Sequence, residues 1–163
     1  MAAVTAVLSQ IIIPIGPVPI NLAILSAFLT GFLLPPLWAA ASLIVYMAMG
    51  AVGIPVFAGF QGGIAVLLNQ TGGYVVGYVF TALFTSLGNK SGKFFLTATG
   101  MAVGLLICYA IGTIWFMTVT GNGLAASLSV CVIPFIPFDI LKGVCAYFAG
   151  KAVNRQLKLS KQN

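Results

Sequence analysis

Ionisable side chains are scarce in this sequence, and histidine is missing altogether. Only 5% of the residues are charged and 61% are hydrophobic, whereas about 25% of the residues of a typical soluble domain are charged. The lack of histidine excludes a Ser-His-Asp triad. A single acidic residue, Asp139, cannot form the carboxylate pair of an acid–base enzyme. We therefore expect an integral membrane protein that is not an enzyme.

Cysteine is also sparse, with Cys108, Cys131 and Cys145 far apart in apolar surroundings. No Cys-x-x-Cys pair occurs, so neither a thiolate zinc site nor a disulfide framework is expected. We interpret these cysteines as small buried apolar residues and expect no metal site and no cofactor.

Residues 88–93, GNKSGK, imitate the loop that cradles nucleotide phosphates. That loop requires four residues between its glycines and a serine or threonine directly after its lysine. This sequence instead has three residues between the glycines and Phe94 after the lysine. ATP hydrolysis is therefore not expected of this chain.

Long continuous apolar runs predict transmembrane helices rather than barrel strands, which alternate apolar and polar residues. Six segments are predicted: residues 1–13, 20–34, 37–52, 73–87, 94–119 and 137–155. The first is shorter than the roughly 20 residues of a full crossing, and residues 124–132 are interpreted as a short interfacial helix. The expected fold is a single all-α membrane domain over residues 1–163, built as a six-helix bundle.

A glycine-rich but apolar stretch, residues 53–73, joins the third and fourth segments. A solvated loop would be more polar, so we expect this stretch to fold back over the bundle, where irregular backbone can line a cavity. Its polar side chains can recognise a solute through a few directed hydrogen bonds: Gln61, Asn69, Gln70 and Thr71. The alternative is a tight turn outside the membrane that binds no ligand.

The positive charges cluster at two predicted helix ends. Lys90 and Lys93 follow the fourth segment, and a basic tail at about residues 151–163 follows the sixth. Positive loops face the cytoplasm, so both clusters and both termini are predicted to be cytoplasmic, with residues 53–73 outside. Such clusters attract anionic lipid head groups, and their position at helix ends favours membrane lipid over nucleic acid as a partner.

Asp139 precedes Lys142 by three residues, on one face of the predicted sixth helix and near its N-terminus. A charge inside a membrane helix costs roughly 2.5–3.5 kcal/mol on insertion scales. Pairing and the helix dipole lower that cost. One alternative is an ion pair that only neutralises itself, but an apolar pair would do so at less cost. We therefore predict a binding site here.

Several stretches together resemble one family of membrane proteins. They are IPIGPVPI at 13–20, GAVGIPVFAG at 50–59, the glycine pair at 62–63, TGGY at 71–74 and PFIPFDILK at 134–142. In this order they resemble BioY, the biotin-binding S component of energy-coupling factor (ECF) transporters. The resemblance implies a six-helix bundle in the bacterial cell membrane that captures biotin from outside. It also implies a transmembrane T component and two ATPase subunits as partners.

The same resemblance implies where biotin binds. The acid and the lysine of the family's Pro-Phe-x-Pro-x-Asp-x-x-Lys motif correspond to Asp139 and Lys142. The loop motifs add further substrate-binding residues, which are Gln61, Gly63, Asn69, Thr71 and Tyr74. Gln61 replaces an arginine that some members carry, and Asn69-Gln70 replaces the usual Gly-Pro.

Ala2 and Ala6 have the spacing of small residues that lets helices pack closely in lipid. Because they lie on a short first helix, we predict that they form an intermolecular surface. In the family that the sequence resembles, this spacing belongs to the surface that contacts the T component.

Two rival functions are compatible with the sequence. One is an S component for a different vitamin, and the other is a structural or assembly membrane protein without a solute. An ion channel is disfavoured, because one acid and few polar helix residues make a poor conduction path.

Overall fold

The computed structural model describes residues 1–13 and 20–160, which are mostly helical. The helices are α1 (Ala2–Ser9), α2 (Ala23–Leu33), α3 (Pro36–Ala51), α4 (Ile64–Leu68), α5 (Gly72–Asn89), α6 (Phe94–Thr120), α7 (Leu124–Cys131) and α8 (Ile136–Ser160). Two short strands, β1 (Ile12–Ile13) and β2 (Ile20–Asn21), pair antiparallel between α1 and α2. The predicted proline loop at 14–19 lies outside the described residues.

The predicted order of helices is confirmed. The six predicted segments correspond to α1, α2, α3, α5, α6 and α8, and the predicted short helix corresponds to α7. Three details differ. Residues 12–13 form a strand rather than the end of a helix, because a residue before proline is driven towards extended backbone. The short helix α4 lies within the predicted loop 53–73. Finally, α8 continues to Ser160, so the predicted tail is helical up to that residue.

Close packing of α5 against α6 forms the centre of the bundle. The two helices are joined by residues 90–93 and run antiparallel. A Cβ atom on Gly104 of α6 would lie 2.9 Å from the Cα atom of Thr81 on α5, so only glycine permits this approach. Helix α2 packs between α5 and α8, α3 packs on α5, and α1 packs on α2 and α3.

Large apolar side chains cover the outer surface of the bundle, among them Leu106, Ile114, Leu141 and Phe148. A soluble monomer rarely exposes so extensive an apolar surface, whereas lipid accommodates it. Within the described residues, α6 alone is long and apolar enough to cross a membrane unaided, and α7 with α8 forms a span bent by 47°. The apolar helices α2 and α3 are shorter.

The charged residues are separated along the bundle. Asn89 and Asn154 both donate side-chain hydrogen bonds to the carbonyl of Phe32, at 3.2 and 2.8 Å. These bonds bring together the C-terminal parts of α2, α5 and α8. The exposed cations Lys90, Lys93, Lys151 and Arg155 therefore lie at one end of the bundle, which we call the basic end.

Candidate functional site

A cavity of about 370 Å³ lies towards the opposite end of the bundle. Its volume falls within the roughly 300–1,000 Å³ of typical small-molecule sites. Strands β1 and β2, the 53–71 region, and the helices α2, α3, α5, α6, α7 and α8 all contribute lining residues. The described lining residues with polar side chains are Asn21, Tyr46, Gln61, Asn69, Gln70, Thr71, Tyr74, Tyr78, Cys108, Tyr109, Cys131, Asp139 and Lys142.

A buried ion pair lies in the wall of this cavity. The Lys142 Nζ donates a hydrogen bond to Asp139 Oδ1 at 2.8 Å, and the Tyr109 hydroxyl donates one to Oδ2 at 2.7 Å. Asp139 is 2% exposed and Lys142 is 7% exposed. Both carboxylate oxygens thus have a donor, and each retains a lone pair that can accept from a ligand N–H group.

The break between α7 and α8 places this pair at the cavity. Helix α7 ends at Cys131, a turn over residues 132–135 follows, and α8 begins at Ile136. Pro137 lies in the first turn of α8, where its missing N–H group is tolerated. Asp139 also lies in that first turn, where the helix dipole favours a negative charge. The break before Pro137 therefore places the first turn of α8, with Asp139, in the wall of the cavity.

Aromatic side chains form much of the remaining wall. The ring of Tyr74 packs directly over Gly112, where a Cβ atom would collide with it. The Tyr74 hydroxyl lies 3.4 Å from Thr113 Oγ1. The rings of Tyr46 and Phe57 meet edge to face, with centroids 5.6 Å apart. Such a wall presents apolar ring faces and a few hydroxyl groups, which suits a ligand that has both an apolar and a polar part.

The irregular segment between α3 and α4, residues 53–63, covers one side of the cavity, and we call it the cap loop. Phe57 and Gln61 exchange two backbone hydrogen bonds across it, at 2.9 and 3.2 Å. Gly63 does not line the cavity. Its φ of 99° and its N–H bond of 2.7 Å to the Gly50 carbonyl shape the end of the loop.

The structure brings most of the predicted site residues together. Asp139, Lys142, Gln61, Asn69, Thr71 and Tyr74 all line the cavity, and Gly63 acts through its backbone. Ala2 and Ala6 lie apart from the cavity lining on α1, where both are half-buried and pack against the apolar core.

Four further lining residues were not predicted from the sequence: Tyr109, Tyr78, Tyr46 and Asn21. The available signal was weak, because a tyrosine within an apolar helix is common in membrane proteins and carries no spacing motif. Tyr109 reaches Asp139 from a different helix, across 30 residues of sequence. Such a pairing follows from the packing of α6 against the other helices rather than from any local pattern.

Comparison with known proteins gives a consistent result. The family model for BioY matches residues 1–159. A probable biotin transporter BioY from Pyrococcus horikoshii is 40% identical over 144 residues, which cover 88% of this chain and 85% of that protein. The biotin transporter BioY from Thermotoga maritima is 36% identical over 146 residues, again covering 88% and 85%.

The fold agrees with that of a solved relative. A crystal structure of the S component for biotin from an ECF-type ABC transporter matches with a TM-score of 0.86 and 27% sequence identity. The match covers 94% of this chain and 86% of that chain. The arrangement of helices is therefore that of an S component, and the chain belongs to the BioY family.

Proposed function

We propose that this chain is the biotin-binding S component of an ECF-type transporter. The observation that carries the proposal is the buried Asp139–Lys142 pair in the wall of a ligand-sized cavity. Because the chain belongs to the BioY family, we infer that this pair recognises biotin in particular. Biotin's ureido ring presents two N–H donors and one carbonyl acceptor, which match a carboxylate and an ammonium group.

The proposed contacts follow from these donor and acceptor properties. Asp139 accepts from the ureido N–H groups, and Lys142 donates to the ureido carbonyl. Tyr109 is a positioning residue, because its bond to Asp139 Oδ2 fixes the plane of the carboxylate. The apolar chain of biotin lies along the aromatic wall. Its carboxylate lies towards Gln61, Asn69 and Thr71, which offer neutral donors.

The separation of charge supports an orientation in the cell membrane. We propose that the basic end faces the cytoplasm, as the positive-inside rule requires, so that both termini are cytoplasmic and the cap loop is outside. The exposed cations at that end then contact anionic lipid head groups rather than nucleic acid. The proposed partners are a transmembrane T component, which contacts α1 near Ala2 and Ala6, and two ATPase subunits.

Isothermal titration of the purified chain tests the proposal directly. We expect saturable binding of biotin with one site per chain. Lipoate is a matched probe, because it carries a similar acid chain but lacks the ureido ring, and we expect it to bind at least tenfold more weakly. Equal affinity for both compounds would assign the cavity to another ligand. No binding of either, or of other vitamins, would favour a structural role.

A further inference from the structure

The C-terminal end of α1 is hydrogen-bonded to the cap loop. The two N–H groups of the Gln10 Nε2 are shared among four acceptors: the carbonyls of Val56 and Phe57 in the cap loop, both at 3.1 Å, and the Ala6 carbonyl and Ser9 Oγ on α1, at 3.0 and 3.1 Å. The Gln10 Oε1 accepts from the Phe60 N–H at 2.8 Å. The buried Ser9 hydroxyl lies 2.7 Å from the Val56 carbonyl and 2.8 Å from the Ala6 carbonyl, and its single proton is shared between them. One amide side chain therefore engages three loop residues, using its donor and its acceptor together.

These contacts fall on the part of the cap loop that turns back on itself. Phe57 and Gln61 line the cavity and pair across the turn. Phe60, between them, has a φ of 57°, a left-handed conformation that is unfavourable for a bulky residue. The hydrogen bond from its N–H group to Gln10 helps to hold that conformation. The geometry of the turn thus depends on a side chain from a different helix.

The remaining anchors of the cap loop act at other points. Phe57 is inserted between Tyr46 and Gly50, and Gly63 bonds to Gly50 at the far end of the loop. The residues between these anchors are largely exposed, including Phe60 at 73%. Without Gln10, the turn would keep the backbone pairing of Phe57 with Gln61 and the buried Phe57 ring. Of the described side-chain bonds to α1, only that of Ser9 would remain.

We propose that Gln10, assisted by Ser9, is a latch that keeps the cap loop closed over the cavity and so sets how fast bound ligand leaves. Gln10 does not line the cavity, so it is a positioning residue rather than a ligand contact. The inference rests on the proposed function for the identity of the ligand, biotin. The closure of the loop by Gln10 is a separate claim that can be measured without any ligand.

The principal test changes Gln10→Met, which keeps the length of the side chain and removes its donor and acceptor. We expect the dissociation rate of radiolabelled biotin, chased with unlabelled biotin, to rise at least tenfold. The association rate should change less than about threefold, since an open loop does not obstruct entry. Gln156→Met is the matched control, because Gln156 is exposed near the basic end, and it should leave both rates unchanged.

A helix-capping role for Gln10 must be separated from the latch, because its Nε2 also donates to the Ala6 carbonyl at 3.0 Å. Cysteines placed at Gln10 and Phe60, with the exposed Cys145 replaced by serine, allow a short bis-maleimide tether to replace the hydrogen bond. The tether restores the connection to the loop but does not restore the cap. We expect slow dissociation to return on tethering. Fast dissociation that persists in the tethered protein would overturn the latch.

Hydrogen exchange of the ligand-free protein gives the independent measurement. In Gln10→Met, peptides covering residues 53–63 should exchange at least tenfold faster, while peptides from α5 should be unchanged. Unchanged exchange in the cap loop, or unchanged biotin dissociation, would overturn the inference. If wild-type protein fails to bind biotin, the proposed function falls. Exchange in the cap loop then decides the latch alone.

Discussion

The buried ion pair allows binding and folding to be tested separately, because its members can be removed singly or together. Asp139→Asn keeps the size of the side chain but exchanges one acceptor oxygen for a donor. Lys142→Met keeps the apolar stem and removes the ammonium group. Each single change leaves the other charge without its partner, 2.8 Å away in wild type. The double change removes both charges and leaves no unpaired ion.

The expected magnitudes follow from burial. With Asp139 2% and Lys142 7% exposed, loss of one partner strands a buried charge, which destabilises a fold by about 3–5 kcal/mol. For binding, an asparagine N–H facing a ureido N–H is a donor opposed to a donor. Such a mismatch costs about 1–3 kcal/mol, or about fivefold to 150-fold in affinity.

The assay is isothermal titration with biotin alongside thermal unfolding in detergent, for both single variants and the double variant. We expect both singles to lose stability and affinity, and the double to regain stability without regaining affinity. Lys90→Met is the control, because Lys90 is exposed at the basic end and should affect neither. A double variant that binds biotin like wild type would refute the assignment, since the pair would then serve the fold alone.

Other predictions concern topology, cavity shape and the carboxylate. Cysteines introduced in a thiol-free background at Ser91, at the basic end, and at Asn122, at the cavity end, should label from opposite sides of the membrane. Labelling of both from outside would contradict the proposed orientation. Gly50→Ala should weaken binding at least tenfold and lower the melting temperature, because its Cβ atom would collide with the Phe57 ring. At Gly143 an added Cβ atom would make only ordinary contacts, the nearest at 3.4 Å. Gly143→Ala should therefore raise the melting temperature, since alanine favours the helix by about 0.5–1 kcal/mol. Equal effects of Gly50→Ala and Gly143→Ala would exclude the steric explanation. Tyr109→Phe should weaken biotin binding by less than Asp139→Asn, because the ion pair stays intact; a larger effect in titration would make Tyr109 a direct ligand contact.

The helices and the ion pair were predictable because both depend on local sequence. Uninterrupted apolar runs ended by proline or glycine set the elements, as at α3, which begins with Pro36, and α6, which ends before the left-handed Gly121. Asp139 and Lys142 were predictable because their spacing on a helix fixes their proximity. In both cases the relevant residues lie within a few positions of one another, so no knowledge of helix packing was needed.

The remaining parts of the site depend on contacts between distant residues. Gln10 meets Phe60 across 50 residues, and Tyr109 meets Asp139 across 30 residues. The strands β1 and β2 and the helix α4 were also not predicted, since two-residue strands and a single helical turn carry too little periodic pattern. Gly63 was assigned to the site from its motif, but its contribution comes from backbone geometry rather than from lining the cavity.

The two faces of helix α1 differ in character. Thr5 and Ser9 are buried on the inward face, with Ala2 and Ala6 half-buried beside them, and Val7 is exposed on the outer face. The Thr5 hydroxyl lies 2.7 Å from the Ser26 hydroxyl on α2. This spacing of i, i+3, i+4 and i+7 marks one continuous packing face.

Ala6→Leu would place a larger side chain against the apolar core on which Ala6 packs, so we expect α1 to shift outward. Most of the cavity wall, including the ion pair, comes from other elements, so purified protein should still bind biotin, although more weakly, because a shift of α1 also moves Gln10 away from the cap loop. The surface proposed to contact the T component would be displaced, and we expect uptake by cells with the full transporter to be lost. Val7→Ala, on the exposed face, is the control that leaves the packing of α1 unchanged. If Ala6→Leu abolished biotin binding as well as uptake, Ala6 would belong to the fold alone, because an unbound cavity would explain the loss of uptake without any partner contact.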